Sequence, residues 1–175
     1  HNKPYLLRDH LPTLLPLLYA ETHVRTELLR KVVMGPFQIV TDDGLDLRKN
    51  AYETMYQLLD SLWSRLHLPD YLDRVIAGLS DSDDGIKTLC YLMVIKLVEL
   101  RSSAVRAVLG GRLEELAEPV GATLRSKLKE MATKQEIEKQ VELQRFIYKM
   151  LLVVSRELDG VVSATGTPKF WSVVQ

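Results

Sequence analysis

The sequence predicts an all-α fold, a fragment of a solenoid of stacked helix pairs with one projecting β-hairpin, and three observations predict it. Long segments carry apolar residues at helical spacing between acidic or proline start signals. One stretch, Lys31 to Val40 (KVVMGPFQIV), instead sets two short β-branched and aromatic runs around Gly35-Pro36, which is a hairpin pattern. Two helical segments also superpose at an offset of 39 residues, Leu47 onto Ile86, which places Ala51 on Cys90, Tyr52 on Tyr91, Met55 on Val94 and Leu58 on Leu97. That offset is close to the repeat of about 40 to 47 residues found in HEAT and armadillo units, where each helix pair needs its neighbours to bury its apolar face.

Taken in order, Tyr5 to Thr22 distributes leucines nearly all round a helix that contains Pro12 and Pro16, so a kinked or interrupted helix is expected. A segment so apolar needs cover on more than one side, and a preceding repeat is expected there. After the hairpin at about 31–40, Asp42 or Asp43 caps a helix whose apolar positions Leu47, Ala51, Met55, Leu58, Leu59 and Leu62 follow helical spacing, ending near His67 before Pro69. Pro69-Asp70 opens a shorter helix with Leu72, Val75, Ile76 and Leu79 inward. Asp83 or Asp84 caps the next, Ile86 to Arg101. A short helix over Ala104 to Leu109 stops at Gly110-Gly111, and Arg112 to about Met131 forms another, with Leu113, Leu116, Val120 and Leu124 inward and Pro119 as a kink. Gln135 to Leu158 is the longest pattern, with Ile137, Val141, Leu143, Ile147, Leu151 and Val154 as its apolar positions. Setting Leu143 on Leu47 places Tyr148 on Tyr52 and Leu151 on Met55, which suggests a third, more diverged unit with an insertion. Residues 1–159 are therefore read as one HEAT-like helical domain and 160–175 as a tail pinned by Phe170 and Trp171.

The bulk composition narrows the class of function. The chain has 175 residues, 46% of them hydrophobic, enough for one domain and its core. Lys and Arg together number 23 and so do Asp and Glu, so no net field draws the chain to nucleic acid or to a membrane, and neither is expected as a partner. The single cysteine, Cys90, excludes an internal disulfide and fits a reducing compartment, with cytoplasm and nucleus expected. Lys96 interrupts the longest apolar run, Leu89 to Val98, which is far below spanning length.

The candidate site is the hairpin: Lys31, Val32, Val33, Met34, Gly35, Pro36, Phe37, Gln38 and Ile39. An isolated two-stranded ribbon is marginal in water, so a helical protein that keeps one covers it or docks it. From the residues alone both readings stand: a connector whose apolar side chains fold back on the chain's own helices, or a probe for a partner. No catalytic residue, cofactor site or metal site is assigned. His10, His23 and His67 lack a second ligand at helical spacing, and DSDDG (Asp81 to Gly85) misplaces the glycine of a calcium loop, so helix capping is the reading of these aspartates. Cys90 has no flanking base and aligns with Ala51, as a packed core residue does.

Two blocks resemble a known family. The stretch from Leu14 to Ser61 (LLPLLYAETHVRTELLRKVVMGPFQIVTDDGLDLRKNAYETMYQLLDS) carries MGPF, the DDGLD turn and the Leu-Arg-Lys helix of the C-terminal end of the cullin-associated, neddylation-dissociated (CAND) proteins, also called TATA-binding-protein-interacting proteins. KQEIEKQVELQR (Lys134 to Arg145) and SAVRAVLGGRLEELAEPVGATLRSK are similar to its later helices, so the likeness covers Leu6 to Leu158 and none is read beyond Gly160. The resemblance implies a non-enzymatic HEAT scaffold that wraps a cullin–RING ubiquitin ligase. It implies that this end embraces the cullin's N-terminal region, with the hairpin where a Skp-type adaptor binds, so that substrate receptors exchange faster. The family's other end, implied to cover the neddylation region, has no counterpart here. The competing reading is a generic HEAT-repeat interaction module of another assembly, with a purely structural hairpin.

Overall fold

The computed structural model describes residues 4–35, 37–126, 132–165, Phe170 and Ser172; of residues 4, 5, 34, 37 and 159–165 it describes the backbone. Two compact units emerge, His1–Arg65 and Leu66–Gln175.

In the first unit, α1 (Pro4–Arg8) and α2 (Leu11–Ala20) replace a continuous helix. The break falls where Pro12 takes a place at the start of α2, a position that wastes no backbone hydrogen bond, as the interrupted helix expected there requires. A short 3₁₀ turn, Thr26–Leu28, leads into β1 (Leu29–Met34), which pairs antiparallel with β2 (Phe37–Asp42). The ladder thus extends the predicted hairpin by two residues at each end. Next, α3 (Leu45–Ser61) packs on α2 and buries Ala51, Tyr52, Met55, Leu58 and Leu59. It ends at Ser61, six residues short of His67, and a 3₁₀ turn over Trp63–Arg65 follows. Leu14, Leu17 and Leu58 border an open apolar groove of about 360 Å³ in this unit.

Among its described residues, the second unit has helices as its only regular secondary structure. Its α4 (Leu68–Leu79) buries Tyr71, Leu72, Val75 and Leu79, and the Tyr71 hydroxyl donates to Met93 Sδ at 3.0 Å, joining it to α5 (Asp84–Glu99). As the central helix, α5 is buried on most sides: Ile86, Cys90, Tyr91, Met93, Val94, Leu97 and Val98 are all interior. Asp83 caps it, accepting the Ile86 N–H at 3.1 Å, while Asp81 accepts the Asp83 N–H at 2.9 Å, so capping accounts for the DSDDG run. Then come α6 (Ser103–Gly110) and α7 (Leu113–Arg125), the latter with Pro119 inside it. Arg112 staples the start of α7 to α4, reaching Asp73 at 2.7 Å, Glu115 at 2.6 Å and the Pro69 carbonyl at 3.1 Å. The long α8 (Lys134–Thr165) opens on a reciprocal cap, in which Thr133 N–H donates to Glu136 and Glu136 N–H to Thr133 Oγ1, and packs on α5 and α6.

Several expectations change. The N-cap of α3 is Gly44, not an aspartate, because Asp42 and Asp43 are engaged elsewhere. Leu47 is exposed, while Leu143, set on it in the third repeat, is buried; Tyr148 is exposed while Tyr52 is buried. Of its three matches, that third alignment agrees in burial only where Leu151 falls on Met55, and the first agrees at Ala51–Cys90, Tyr52–Tyr91, Met55–Val94 and Leu58–Leu97 but not at its anchor, where Leu47 is exposed and Ile86 buried. Of the apolar positions read in α8, Ile137 and Val141 lie exposed, because the helix buries the side carrying Leu143, Ile147, Met150, Leu151, Val154 and Leu158. Helix α8 also continues past Leu158 to Thr165. Beyond it Phe170 is fully buried, its N–H 3.4 Å from Glu114 Oε1 on α7, so the tail is pinned there; Trp171 lies outside the described residues. The segment at 127–131, expected as the end of a helix, lies outside them too.

Candidate functional site

The hairpin starts from its turn. A two-residue connection joins strands that twist right-handedly, and the turns that fit that twist demand a positive φ at the first central position. Gly35 supplies it at φ +61, where a side chain is strained, although a Cβ there would meet nothing within 4 Å. The constraint is conformational and not one of space. From the turn the register runs Met34↔Phe37, Val33↔Gln38, Val32↔Ile39, Lys31↔Val40, Arg30↔Thr41 and Leu29↔Asp42.

Paired residues share a face and successive ones alternate, so Val32 and Ile39 lie on one side of the ribbon while Val33, Lys31 and Val40 lie on the other. Both sides are open. Val33 is 70% exposed, and Val32, Ile39 and Val40 are exposed with it, as are Lys31, Gly35 and Gln38. Apolar side chains left in water on both faces of one ribbon are the opposite of a connector folded back into the core. Of the remaining predicted site residues, Met34 and Phe37 close the ladder beside the turn, with side chains outside what is described, and Pro36 lies outside the described residues. Val40, beyond the predicted set, belongs to the same exposed surface.

What sequence reasoning missed is the base of the hairpin. Asp42, the last residue of β2, accepts the Gly44 N–H on Oδ1 at 3.0 Å and holds Arg48 Nη1 on Oδ2 at 2.7 Å. The Arg48 side chain is 1% exposed, a cation enclosed in the first turns of α3. Asp43 takes the other strand: its carboxylate receives both the Nε and, at 2.9 Å, the Nη2 of Arg30, and its N–H donates to the Leu28 carbonyl at 3.1 Å. The Arg30 hydrogen bond holds the Asp43 carboxyl below its usual range. Both strands are thereby bolted to the start of the same helix. Gly44 completes the joint, since a Cβ there would come within 3.0 Å of Leu28 Cδ1. The one signal available in the sequence was the close spacing of Asp42, Asp43 and Arg48 at a strand-to-helix junction, which helix capping and a solvated arginine explained equally well.

Elsewhere, Cys90 is fully buried and burial pushes its thiol well above the ordinary range, as suits a packing residue. Among the described residues no three His, Cys, Asp or Glu side chains converge as a metal set would, and no helix is long and apolar enough to cross a membrane.

Comparison with known proteins bears on this arrangement. The family described as TATA-binding protein interacting (TIP20) matches residues 6–175, so the match runs past Leu158, where the resemblance read from the sequence stopped for want of a periodic motif in the tail. Cullin-associated NEDD8-dissociated protein 1 of Drosophila melanogaster is 46% identical over 156 residues, 89% of this chain and 12% of that protein. Cullin-associated NEDD8-dissociated protein 2 of Mus musculus is 46% identical over 145 residues, 83% of this chain and 11% of that protein. The C-terminal part of the protein 1 homologue of Emericella nidulans is 42% identical over 159 residues, 91% of this chain and 14% of that protein. The chain thus spans between a tenth and a seventh of the length of these curated relatives.

Proposed function

This chain belongs to the TATA-binding protein interacting (TIP20) family of cullin-associated NEDD8-dissociated proteins, and on that premise we propose that it is a non-enzymatic cullin-binding regulator of ubiquitin ligases. In this reading its hairpin enters the adaptor-binding site on the cullin's N-terminal region, displaces a Skp-type adaptor and so promotes exchange of substrate-receptor modules. Cytoplasm and nucleus, where such ligases work, are its proposed location.

The observation that carries the reading is a ribbon with apolar side chains exposed on both faces and each strand fastened by an ion pair at its root. Each aliphatic tip that enters a groove contributes about 1.5 to 3 kcal/mol before ordering costs, enough for a few tips to dominate a partly polar interface. Fastening lowers the ordering cost, because the ribbon's direction is already set when the partner arrives.

The test is a titration of the chain with a purified cullin N-terminal region, followed by excess adaptor. Saturable binding that adaptor reverses is the expected result. Binding that adaptor leaves untouched would place the chain elsewhere on the cullin, and no binding would sink the proposal.

A further inference from the structure

We propose that α8 carries a self-association surface, on the side turned away from its buried face, where a second copy of this chain docks its own α8 antiparallel. The hairpin takes no part in it, so the inference stands apart from the function proposed above.

Ile137, Val141, Tyr148 and Leu152 are all exposed, Leu152 at 67%, and they follow one another at intervals of four, seven and four residues. At 3.6 residues per turn and 1.5 Å per residue they fall within about 60° of one another along about 22 Å of helix, which is the form of a seam between two helices. Helix α8 is therefore apolar on two sides: one packs on α5 and α6, and the other faces water. Two copies of one stripe meet across a two-fold axis. Antiparallel pairing of Ile137 with Leu152 and of Val141 with Tyr148 puts that axis between residues 144 and 145.

Charge selects this occupant. Glu138, Glu142, Arg145 and Lys149, all exposed, follow one another along one edge of the stripe. The two-fold axis sets that edge against the same edge of the second copy, so that the charges of the two helices interleave. Each Lys149 then lies between Glu138 and Glu142 of the other copy, about 3 Å from either along the axis. The two Arg145 side chains meet at the axis, and each has Glu142 of the other copy about 3 Å beyond it. Among the described residues Glu142, Arg145 and Lys149 form no ion pair within the chain, so these contacts displace none. At the two ends Lys134 nears Arg156 of the other copy, but Lys134 is met by Glu138 at 3.7 Å and Arg156 by Glu157 at 3.2 Å. On the opposite edge half-buried Gln144 fills the seven-residue gap in the stripe and comes beside its own counterpart at the axis. A carboxamide both donates and accepts, so that pair is self-complementary, and one polar residue in an apolar seam fixes its register. A parallel pair would set the charged edge against the uncharged one that carries Gln140 and Gln144, and would lose the interleaving.

The test is sedimentation equilibrium of the whole chain, where a monomer–dimer equilibrium with a Kd of about 10 to 100 μM is expected and Leu152→Glu weakens it at least about tenfold. Lys149→Glu alone, and Glu138→Lys with Glu142→Lys, are each expected to weaken it too, while an equimolar mixture of these two variants regains a dimer with the charges exchanged. Orientation is read by oxidation: Gln144→Cys should form an intermolecular disulfide, and Ile137→Cys, about 22 Å from its counterpart in the antiparallel pair, should not. The native thiol, Cys90, is buried and leaves this readout clean. The substituted side chains lie at the surface, so circular dichroism of the variants should match the parent chain. A monomer at every concentration, a dimer that Leu152→Glu or Lys149→Glu leaves intact, no recovery on mixing, or cross-linking of Ile137→Cys as readily as Gln144→Cys would each overturn the proposal.

Discussion

Asp42 Oδ2 lies 2.7 Å from Arg48 Nη1, and this one contact joins the last residue of a strand to the inner face of the helix that follows it. Arginine is an expensive choice for so enclosed a place. An apolar residue of similar volume often serves stability as well as a buried ion pair does, whereas stripping one partner from the pair is costly. Asp42→Ala is therefore expected to destabilise the chain by about 3 kcal/mol in urea unfolding followed by circular dichroism, and Arg48→Met by less than half of that. The reverse order would mean that the arginine's packing, and not its charge, matters.

Gly35 gives a sharper test of the ribbon itself. At φ +61 a non-glycine L-residue is disfavoured by roughly 1 to 2 kcal/mol, and asparagine by less. Amide hydrogen exchange over Lys31 to Val40 is expected to speed up in Gly35→Val and hardly at all in Gly35→Asn, with exchange in α3 unchanged. Equal acceleration in both variants would point to lost backbone freedom and not to the sign of φ.

Val33 is the most exposed apolar residue described in the ribbon. Val33→Asp changes a side chain already in water and should leave the fold unaffected; under the function proposed above it is expected to weaken binding to a cullin N-terminal region at least about tenfold, equivalent to about 1.4 kcal/mol. Isothermal titration at matched concentrations measures it; an unchanged affinity would remove the hairpin from the interface.

Acid should loosen the α4–α7 staple. The hydrogen bond from Arg112 holds the Glu115 carboxyl below its ordinary range. A group whose folded value is depressed stabilises the protein fully above its unfolded value, and that contribution fades as pH falls through the folded one. The stability gap between the parent chain and Glu115→Gln is thus expected to be widest at neutral pH and to close as the pH drops through the carboxylate range and below it. Glu115 is half-exposed, so the gap should stay within about 1 kcal/mol. A gap independent of pH would assign the effect to side-chain shape.

Cys90 is predicted to react with iodoacetamide at pH 8 only as fast as the second unit opens, because its thiol is buried and its ionisation is suppressed by that burial. Mass spectrometry across a urea series should show labelling that follows unfolding. Fast labelling without denaturant would contradict the packing around α5.

Much of the fold was legible because its punctuation is local. Asp83 caps α5 as its spacing promised, Pro12 opens α2 just after the interruption while Pro16 is carried inside it, and Gly35-Pro36 marks the turn. What stayed hidden depends on partners distant in sequence. Apolar spacing shows that Ile137 and Val141 are hydrophobic but not which side of α8 meets α5. Arg48 reads as one more solvated residue until Asp42 is seen to fold back over it. Asp42 and Asp43 have the chemistry of caps, yet Arg48 takes one oxygen of Asp42 and Arg30 both oxygens of Asp43.

Among the described residues the ladder between β1 and β2 stops at two strands. Each outer margin therefore keeps a row of backbone amides and carbonyls able to template a further strand, and Lys31, with its charge in water, is the main described deterrent on the β1 side. Concentrated preparations should accordingly be most prone to aggregate through this ribbon, and a ligand that seals its rims would act as a solubiliser as well as a binder.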